Sequence, residues 1–369
     1  MVAVRHPVVA RDQMKRAPVM RRDADRCGVA TTRTFVPRAA LAAALLCGAM
    51  GCARSPSMFR AAGPAAEQIA RLGWLFTIVA AAVTVIVTGV LLAALYRRRP
   101  DRTSSVEPSG DPRGPVRWII IGGVVLPAIV LVVCFAFTLI TQAAVASPPR
   151  PTVATVQVTA HRWWWEVRYT GMGADQTVVT ANEIHVPVGR AVRINLVSND
   201  VIHSFWVPEL AGKTDVIPGQ DNAMWLQANR PGTYRGECAE YCGLQHAHMD
   251  FVVVADAPTD FAAWLVRQRA TAVAPTDAAA AAGLAVFHRS ACAVCHAIRG
   301  TDILGRVGPD LTHLASRQTI AAGTLLNNRG NLAGWVANAQ SLKPGSGMPN
   351  VPLDGRDLQA LVAYLETLK

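Results

Sequence analysis

Beyond residue 140 the sequence lacks any surplus of charge. Its 36 Lys and Arg against 25 Asp and Glu give a formal +11 over 369 residues. All of that surplus lies in residues 1–140, with 18 basic and 7 acidic side chains, while residues 141–369 carry 18 of each. A neutral C-terminal part has no extended basic footprint with which to neutralise phosphates, so nucleic acid is excluded as a partner. A disulfide framework is also missing. Four of the eight cysteines fall in two close pairs, Cys238 with Cys242 and Cys292 with Cys295, spacings that suit metal or haem attachment better than cross-linking. Finally, two stretches, 74–95 and 118–140, lack charged side chains altogether. Each exceeds the roughly 20 apolar residues needed to cross a bilayer, and with 51% hydrophobic residues the chain reads as a membrane protein rather than a soluble or disordered one.

The Arg-rich N-terminus leads into a short apolar run at 39–50, the pattern of an export signal and too short to span. Cys52 follows Ala49-Met50-Gly51, which resembles a lipoprotein cleavage box with Ala49 where Leu is usual, and is the candidate for lipidation; Met14 and Met20 are alternative starts. Trp74 and Trp118 open the two spans and Tyr96 closes the first, at the boundary that aromatic rings prefer. Between the spans lie Arg97, Arg98, Arg99, Arg102, Arg113 and Arg117, which by the positive-inside rule keep this loop in the cytoplasm and send the rest of the chain to the outer side. Runs at 153–158, 163–169, 191–197, 224–227 and 251–254, rich in β-branched and aromatic residues and broken by Pro and Gly, predict an antiparallel β-sandwich or barrel. A short amphipathic helix is expected at 261–269, then an Ala-rich linker. The last part is expected to open with a helix ending at Cys292 and to close with one presenting Leu358, Leu361, Val362, Leu365 and Leu368 on one face. The expected partition is therefore a signal at 1–52, a transmembrane hairpin at 70–142, a β domain at 152–258, a helix and linker at 259–278 and a helical domain at 279–369.

Cys238-Ala239-Glu240-Tyr241-Cys242-Gly243-Leu244-Gln245-His246-Ala247-His248-Met249 packs two thiols, imidazoles and a thioether into twelve residues, and His203 offers a further imidazole from an earlier strand. Soft sulfur with imidazole selects copper, zinc or iron, and a thioether favours copper in electron transfer over a structural zinc site of four ligands. This pattern resembles the binuclear CuA centre of cytochrome c oxidase subunit II. The resemblance implies Cys238 and Cys242 as bridging thiolates, His203 and His246 as terminal imidazoles, Met249 as axial thioether and the Glu240 backbone carbonyl as sixth donor. It also implies that the Glu240 side chain reaches a magnesium or manganese ion shared with subunit I, and that Trp163, in His161-Arg162-Trp163-Trp164-Trp165, passes electrons inward. Trp164 and Trp165 are expected to pack a core or an interface, and His248 matches no ligand position. One departure stands out. Where relatives carry a Glu near the start of the second span, this chain has Ile120, which puts a proton-entrance role in doubt.

Cys292-Ala293-Val294-Cys295-His296 is a c-type haem attachment signal, with two thiols for the haem vinyls and His296 for one axial position. Beyond it the chain holds one Met, Met348, and one further His, His313. Met348, in Gly345-Ser346-Gly347-Met348-Pro349, resembles the axial-Met loop of class I cytochromes c and is the expected sixth ligand, leaving His313 to a polar contact. A two-span anchor, a cupredoxin-like CuA domain and an all-α class I cytochrome c domain together resemble subunit II of caa-type haem-copper oxidases. The implied role is that of a non-catalytic redox subunit in the bacterial plasma membrane. Electrons would come from a soluble or membrane cytochrome c or another periplasmic donor through haem c and CuA to an oxygen-reducing subunit I, with subunit III and membrane lipid as further partners. The competing readings are the CuA subunit of a nitric oxide reductase and a free-standing membrane electron carrier.

Overall fold

The fold is seen in a computed structural model that describes residues 56–97, 113–170 and 177–369. The signal, Cys52 and Arg98, Arg99 and Arg102 lie outside the described residues. Helix α1 (Pro64–Tyr96) and a second helix built from α2 (Arg113–Ile120), one wider π turn (Ile121–Val125) and α3 (Leu126–Val145) are the two long apolar elements. Both meet the length and hydropathy of a membrane span, and their apolar side chains are exposed, as lipid-facing surfaces require. Helix α1 begins ten residues before the expected span, because its first turn belongs to the next layer. Ala62 exchanges backbone hydrogen bonds with Glu209 and Asn229, and a Cβ on Gly63 would come within 2.2 Å of the Gln227 carbonyl. The far end of α3 is held by the Trp225 indole, which donates to the Val145 carbonyl at 2.9 Å.

That next layer is a sandwich of ten strands: β1 (Thr155–His161), β2 (Trp164–Thr170), β3 (Val178–Ala181), β4 (Glu183–Pro187), β5 (Val192–Ser198), β6 (His203–Trp206), β7 (Thr214–Val216), β8 (Asn222–Leu226), β9 (Gly232–Cys238) and β10 (Asp250–Asp256). One sheet runs β3-β2-β1-β5-β8 and the other β4-β10-β9-β6-β7. The expectation of an antiparallel sandwich is corrected here, since β1 pairs parallel with β5 and β10 parallel with β4. A strand's alternation says which face is buried and nothing about the direction of its neighbour. Strands β1 and β2 alternate inward and outward along their length, and their register across Arg162 and Trp163 leaves a two-residue turn. The inward residues Val156, Val158, Trp165, Val167 and Tyr169 are fully buried. At the centre Trp165 meets Phe205 edge-on at 5.7 Å and Phe251 at 5.5 Å, geometries that suit the ring quadrupoles.

Helix α4 (Pro258–Arg269) starts three residues earlier than expected, with Pro258 in its first turn. The C-terminal part holds α5 (Ala278–Arg289), the single turn α6 (Cys292–Cys295), a small hairpin of β11 (Thr319–Ile320) and β12 (Leu325–Leu326), then α7 (Arg329–Ala337), α8 (Ala339–Leu342) and α9 (Gly355–Leu365). Helix α5 ends at Arg289 rather than running on to Cys292, and the Cys pair sits on its own turn. Asp277, Asn328, Asn338 and Asp354 cap the starts of α5, α7, α8 and α9 with side-chain oxygens. Leu361, Val362, Leu365 and Leu368 are buried and Leu358 packs at the edge of the same cluster, as the helical spacing predicts.

Candidate redox centres

His203 stands at the start of β6, Cys238 at the end of β9, and the loop from β9 to β10 supplies the remaining donors. The Cys238 and Cys242 sulfurs are 3.7 Å apart, too far for a disulfide of about 2 Å. His203 Nδ1 lies 3.9 Å from the Cys238 sulfur, His246 Nδ1 3.7 Å from that of Cys242, and Met249 Sδ 3.8 Å from Cys242. The Glu240 carbonyl is 3.2 Å from Cys238 Sγ. All six expected donors therefore meet around one point. Two thiols, two imidazoles, a thioether and a carbonyl exceed the four donors of a closed zinc site and suit copper. Among the described residues, His203, Cys238 and Cys242 form the one group of three or more His, Cys, Asp or Glu side chains close enough to share an ion.

The scaffold sets the donors' direction. Asp200 Oδ1 meets His203 Nε2 at 2.8 Å, so Nδ1 is the nitrogen left facing the sulfurs. The Trp165 ring lies edge-on to His203 at 5.9 Å, and its indole donates to the Met249 carbonyl. Hydrogen bonding between the two sulfurs pulls the Cys238 thiol down and pushes the Cys242 thiol up. The pair thus gives up its first proton readily and its second reluctantly, as expected of two thiols that share one site. His248 stays outside, exposed, with its Nδ1 2.8 Å from Gln245 Oε1. The Glu240 side chain points away from the donors, 3.9 Å from Lys213 Nζ.

The second centre surrounds a cavity of about 340 Å³ whose walls include Cys292, Cys295, His296 and Met348. His296 Nδ1 is 2.8 Å from the Pro309 carbonyl, which leaves Nε2 as the free nitrogen. Burial holds its pKa below the usual value, and a neutral imidazole is the form that binds iron. A Cβ on Gly308 would stand 2.7 Å from the His296 ring, so a larger residue here would have to displace that ring. Two thiols, one free imidazole nitrogen and one thioether around a largely apolar cavity fit a covalently attached haem. His313 does not line the cavity. Its ring nitrogens sit 2.7 Å from the Lys369 carbonyl and 3.1 Å from that of Ala270, the polar contact expected of it.

Trp163 belongs to both centres. It lines the cavity and its indole donates to the Cys242 carbonyl at 2.9 Å. Gly243, at φ +111°, lets the ring lie flush, since a Cβ there would come within 3.1 Å of it. Trp164 also reaches the cavity wall and stacks on His161 at 4.4 Å, whereas Trp165 is fully buried in the core. Asp200 and Lys343 escaped the reading of the sequence. Asp200 lies three residues before His203 and could have been found as a partner for that imidazole, but nothing in the sequence marks Lys343.

Residues 171–256 match the family model described as cytochrome c oxidase subunit II, periplasmic domain, and residues 280–369 match that of cytochrome c. The cytochrome c oxidase subunit 2 of Alkalihalophilus pseudofirmus is 37% identical over 316 residues, covering 83% of this chain and 89% of that one. That of Bacillus sp. (strain PS3) is 32% identical over 295 residues, covering 74% of this chain and 80% of its own. Among solved structures, the periplasmic domain of subunit II of cytochrome oxidase of Bradyrhizobium japonicum is 27% identical with a TM-score of 0.31, covering 32% of this chain and 96% of that one.

Proposed function

This chain belongs to the cytochrome c oxidase subunit II family, as a member that carries a cytochrome c domain, and on that premise we propose that it delivers electrons from a donor outside the membrane, through covalent haem c and a binuclear copper centre, to an oxygen-reducing subunit I. The observation that carries this reading is Trp163, which lines the cavity that holds Cys292, Cys295, His296 and Met348 while its indole nitrogen is bonded to the backbone of Cys242.

In this reading Cys292 and Cys295 bind the haem covalently, and His296 and Met348 hold its iron. His203, Cys238, the Glu240 carbonyl, Cys242, His246 and Met249 hold the copper pair. When bound, the two groups supply one-electron carriers of little reorganisation. The protein's own part is to orient and to exclude water. Asp200 fixes the His203 tautomer, and Trp165, Phe205 and Phe251 seal the copper loop from beneath. Gln340 holds the Met348 loop through the Met348 carbonyl at 2.7 Å. Both donor sets are filled by protein atoms, so oxygen chemistry belongs to a separate subunit with an open metal position. A tethered cytochrome also meets its acceptor at an effective concentration that reaches about the millimolar range, and the neutral outer domains suit a donor that needs no long-range steering. The Glu240 carboxylate, exposed beside Lys213 and Asp215, is the group we assign to a magnesium or manganese ion at the subunit I boundary. Cys52 is the proposed lipid anchor, and subunit III the further partner.

Purifying the membrane complex with metal and haem analysis and an oxygen-uptake assay tests the proposal. Two coppers and one covalent haem on this chain, with oxygen consumed in the presence of reduced cytochrome c, are expected. One zinc in place of the coppers would overturn the copper assignment. Reduction of nitric oxide without oxygen uptake would move the chain to the other class of complex, and isolation with no catalytic partner would make it a free-standing carrier.

A further inference from the structure

Only four of the chain's 36 basic residues are Lys, and one of them, Lys343, is 2% exposed. It follows α8 in the cytochrome domain, five residues before Met348. Its ammonium makes three hydrogen bonds: to the carbonyls of Trp163 at 3.0 Å, His248 at 2.8 Å and Ala321 at 3.2 Å. Those acceptors come from three separate segments, namely the turn that carries Trp163, the loop that carries the copper donors and the cytochrome domain itself. Three convergent carbonyls call for three N–H groups. A neutral amine would offer two and turn its lone pair on the third, and the planar guanidinium used elsewhere in this chain spreads its donors in one plane. Burial draws the Lys343 pKa down to about 8, with the Asp250 carboxylate opposing it.

The neighbours of Lys343 lie on the same surface. The Pro344 carbonyl accepts from Gln245 Nε2 at 2.8 Å. Gly345, at φ +79°, passes so close to Leu244 that a Cβ would stand 3.1 Å from it. The segment that leads to Met348 is thereby pressed onto the loop between Cys242 and Met249, and Lys343 is its one charged pin. Removing that charge would take the ammonium donor from the Trp163 and His248 carbonyls, while the Ala321 carbonyl keeps the Thr324 hydroxyl.

We propose that Lys343 is a positioning residue for transfer between the two centres, an ammonium pin that holds the Met348 segment against Trp163 and the copper loop and so fixes the gap the electron must cross. The proposal rests on the electron-delivery reading above. The step it positions is a transfer of one electron, oxidising ferrous haem c to ferric and reducing the copper pair by one, with no bond made and no proton moved. Lys343 bonds to no donor atom of either centre, although it lines the cavity beside Met348, and its three hydrogen bonds all go to backbone carbonyls.

The test uses the whole oxidase complex with Lys343→Met and Lys343→Arg, injecting one electron into haem c by a laser flash and following its arrival at copper by absorbance. With both absorption spectra intact, Lys343→Met should slow transfer at least about tenfold, since displacements near 1 Å are costly in positioned reactions, and Lys343→Arg should fall between it and the wild type. Reduction of haem c by the external donor should keep its wild-type rate in both variants, which a general loss of structure would not allow. A wild-type transfer rate in Lys343→Met overturns the proposal, as does loss of either spectrum in both variants, which would make Lys343 a folding residue. Should Lys343→Met alone fail to assemble, Lys343→Arg decides, a slowed rate with intact spectra supporting the pin and a wild-type rate overturning it. Absence of the copper or haem signal in the wild type would instead defeat the electron-delivery reading.

Discussion

The candidate donors of this chain are oriented by neighbours that are not donors themselves. Asp200 is the plainest case, because its carboxylate occupies His203 Nε2 and so decides which nitrogen faces the sulfurs. Such outer partners are typically worth about 10–100-fold in metal affinity. Asp200→Asn should therefore weaken copper retention by about tenfold, read by competition against a chelator. Met348→Ala should abolish the thioether-to-iron absorption band of the oxidised protein, and survival of that band would remove Met348 from the iron. At this scale the sequence is most legible where chemistry is crowded: twelve residues hold five of the six candidate copper donors, and five hold the candidate haem-attachment signal. It is least legible at Lys343, whose partners are backbone carbonyls and carry no side-chain signature.

Among the elements, the crossing of α5 and α9 is the tightest. Gly283 meets the Ala360 carbonyl so closely that an added Cβ would stand 1.9 Å from that oxygen and 2.7 Å from Tyr364 Cβ. The obstacle is helix backbone, which cannot turn aside as a flexible side chain can. Gly283→Ala should accordingly destabilise the cytochrome domain by at least about 2 kcal/mol through overpacking, measured as a lowered denaturant midpoint followed by haem absorbance, with the copper absorption unchanged. The helical spacing of Leu361, Val362 and Leu365 predicts this buried face, but the glycine that admits the crossing is silent until the partner helix is seen. The sandwich divides in the same way. Strands β1, β2 and β5 alternate and are legible, whereas β4 buries all five of its residues, Glu183 and His185 among them, and polar side chains facing inward erase the signal that periodicity provides.

For the molecule as a whole, the surplus of +11 records topology. Both apolar helices are tied to the sandwich at one end, through Ala62 with Asn229 and through Trp225 with Val145, so the segment rich in Arg joins their opposite ends. On the outer side the parts are joined at a buried ionic cluster. His185, 8% exposed, has Asp256 Oδ2 2.6 Å from Nδ1 and Glu183 Oε1 3.0 Å from Nε2, and the ring of Trp264 from α4 stacks on it at 4.1 Å. The other oxygen of Glu183 accepts the backbone N–H of Gln318 in the cytochrome domain at 2.8 Å. Burial opposes a charge on His185, but the hydrogen bonds to Asp256 and Glu183 outweigh it, and its pKa is raised above 6.5. A histidine that binds its proton more tightly when folded stabilises the fold fully below the unfolded value of about 6.5 and loses that contribution as pH rises through its raised pKa. The apparent melting temperature of the intact complex should therefore decline as the pH climbs above about 6.5. Asp256→Asn removes the acceptor at Nδ1, and in that variant the melting temperature should be lower at acid pH and its decline with pH shallower, because less stability remains to be lost. A decline of wild-type steepness in Asp256→Asn would mean that another group carries the dependence, and that Glu183 meets Gln318 without help from the imidazole between them.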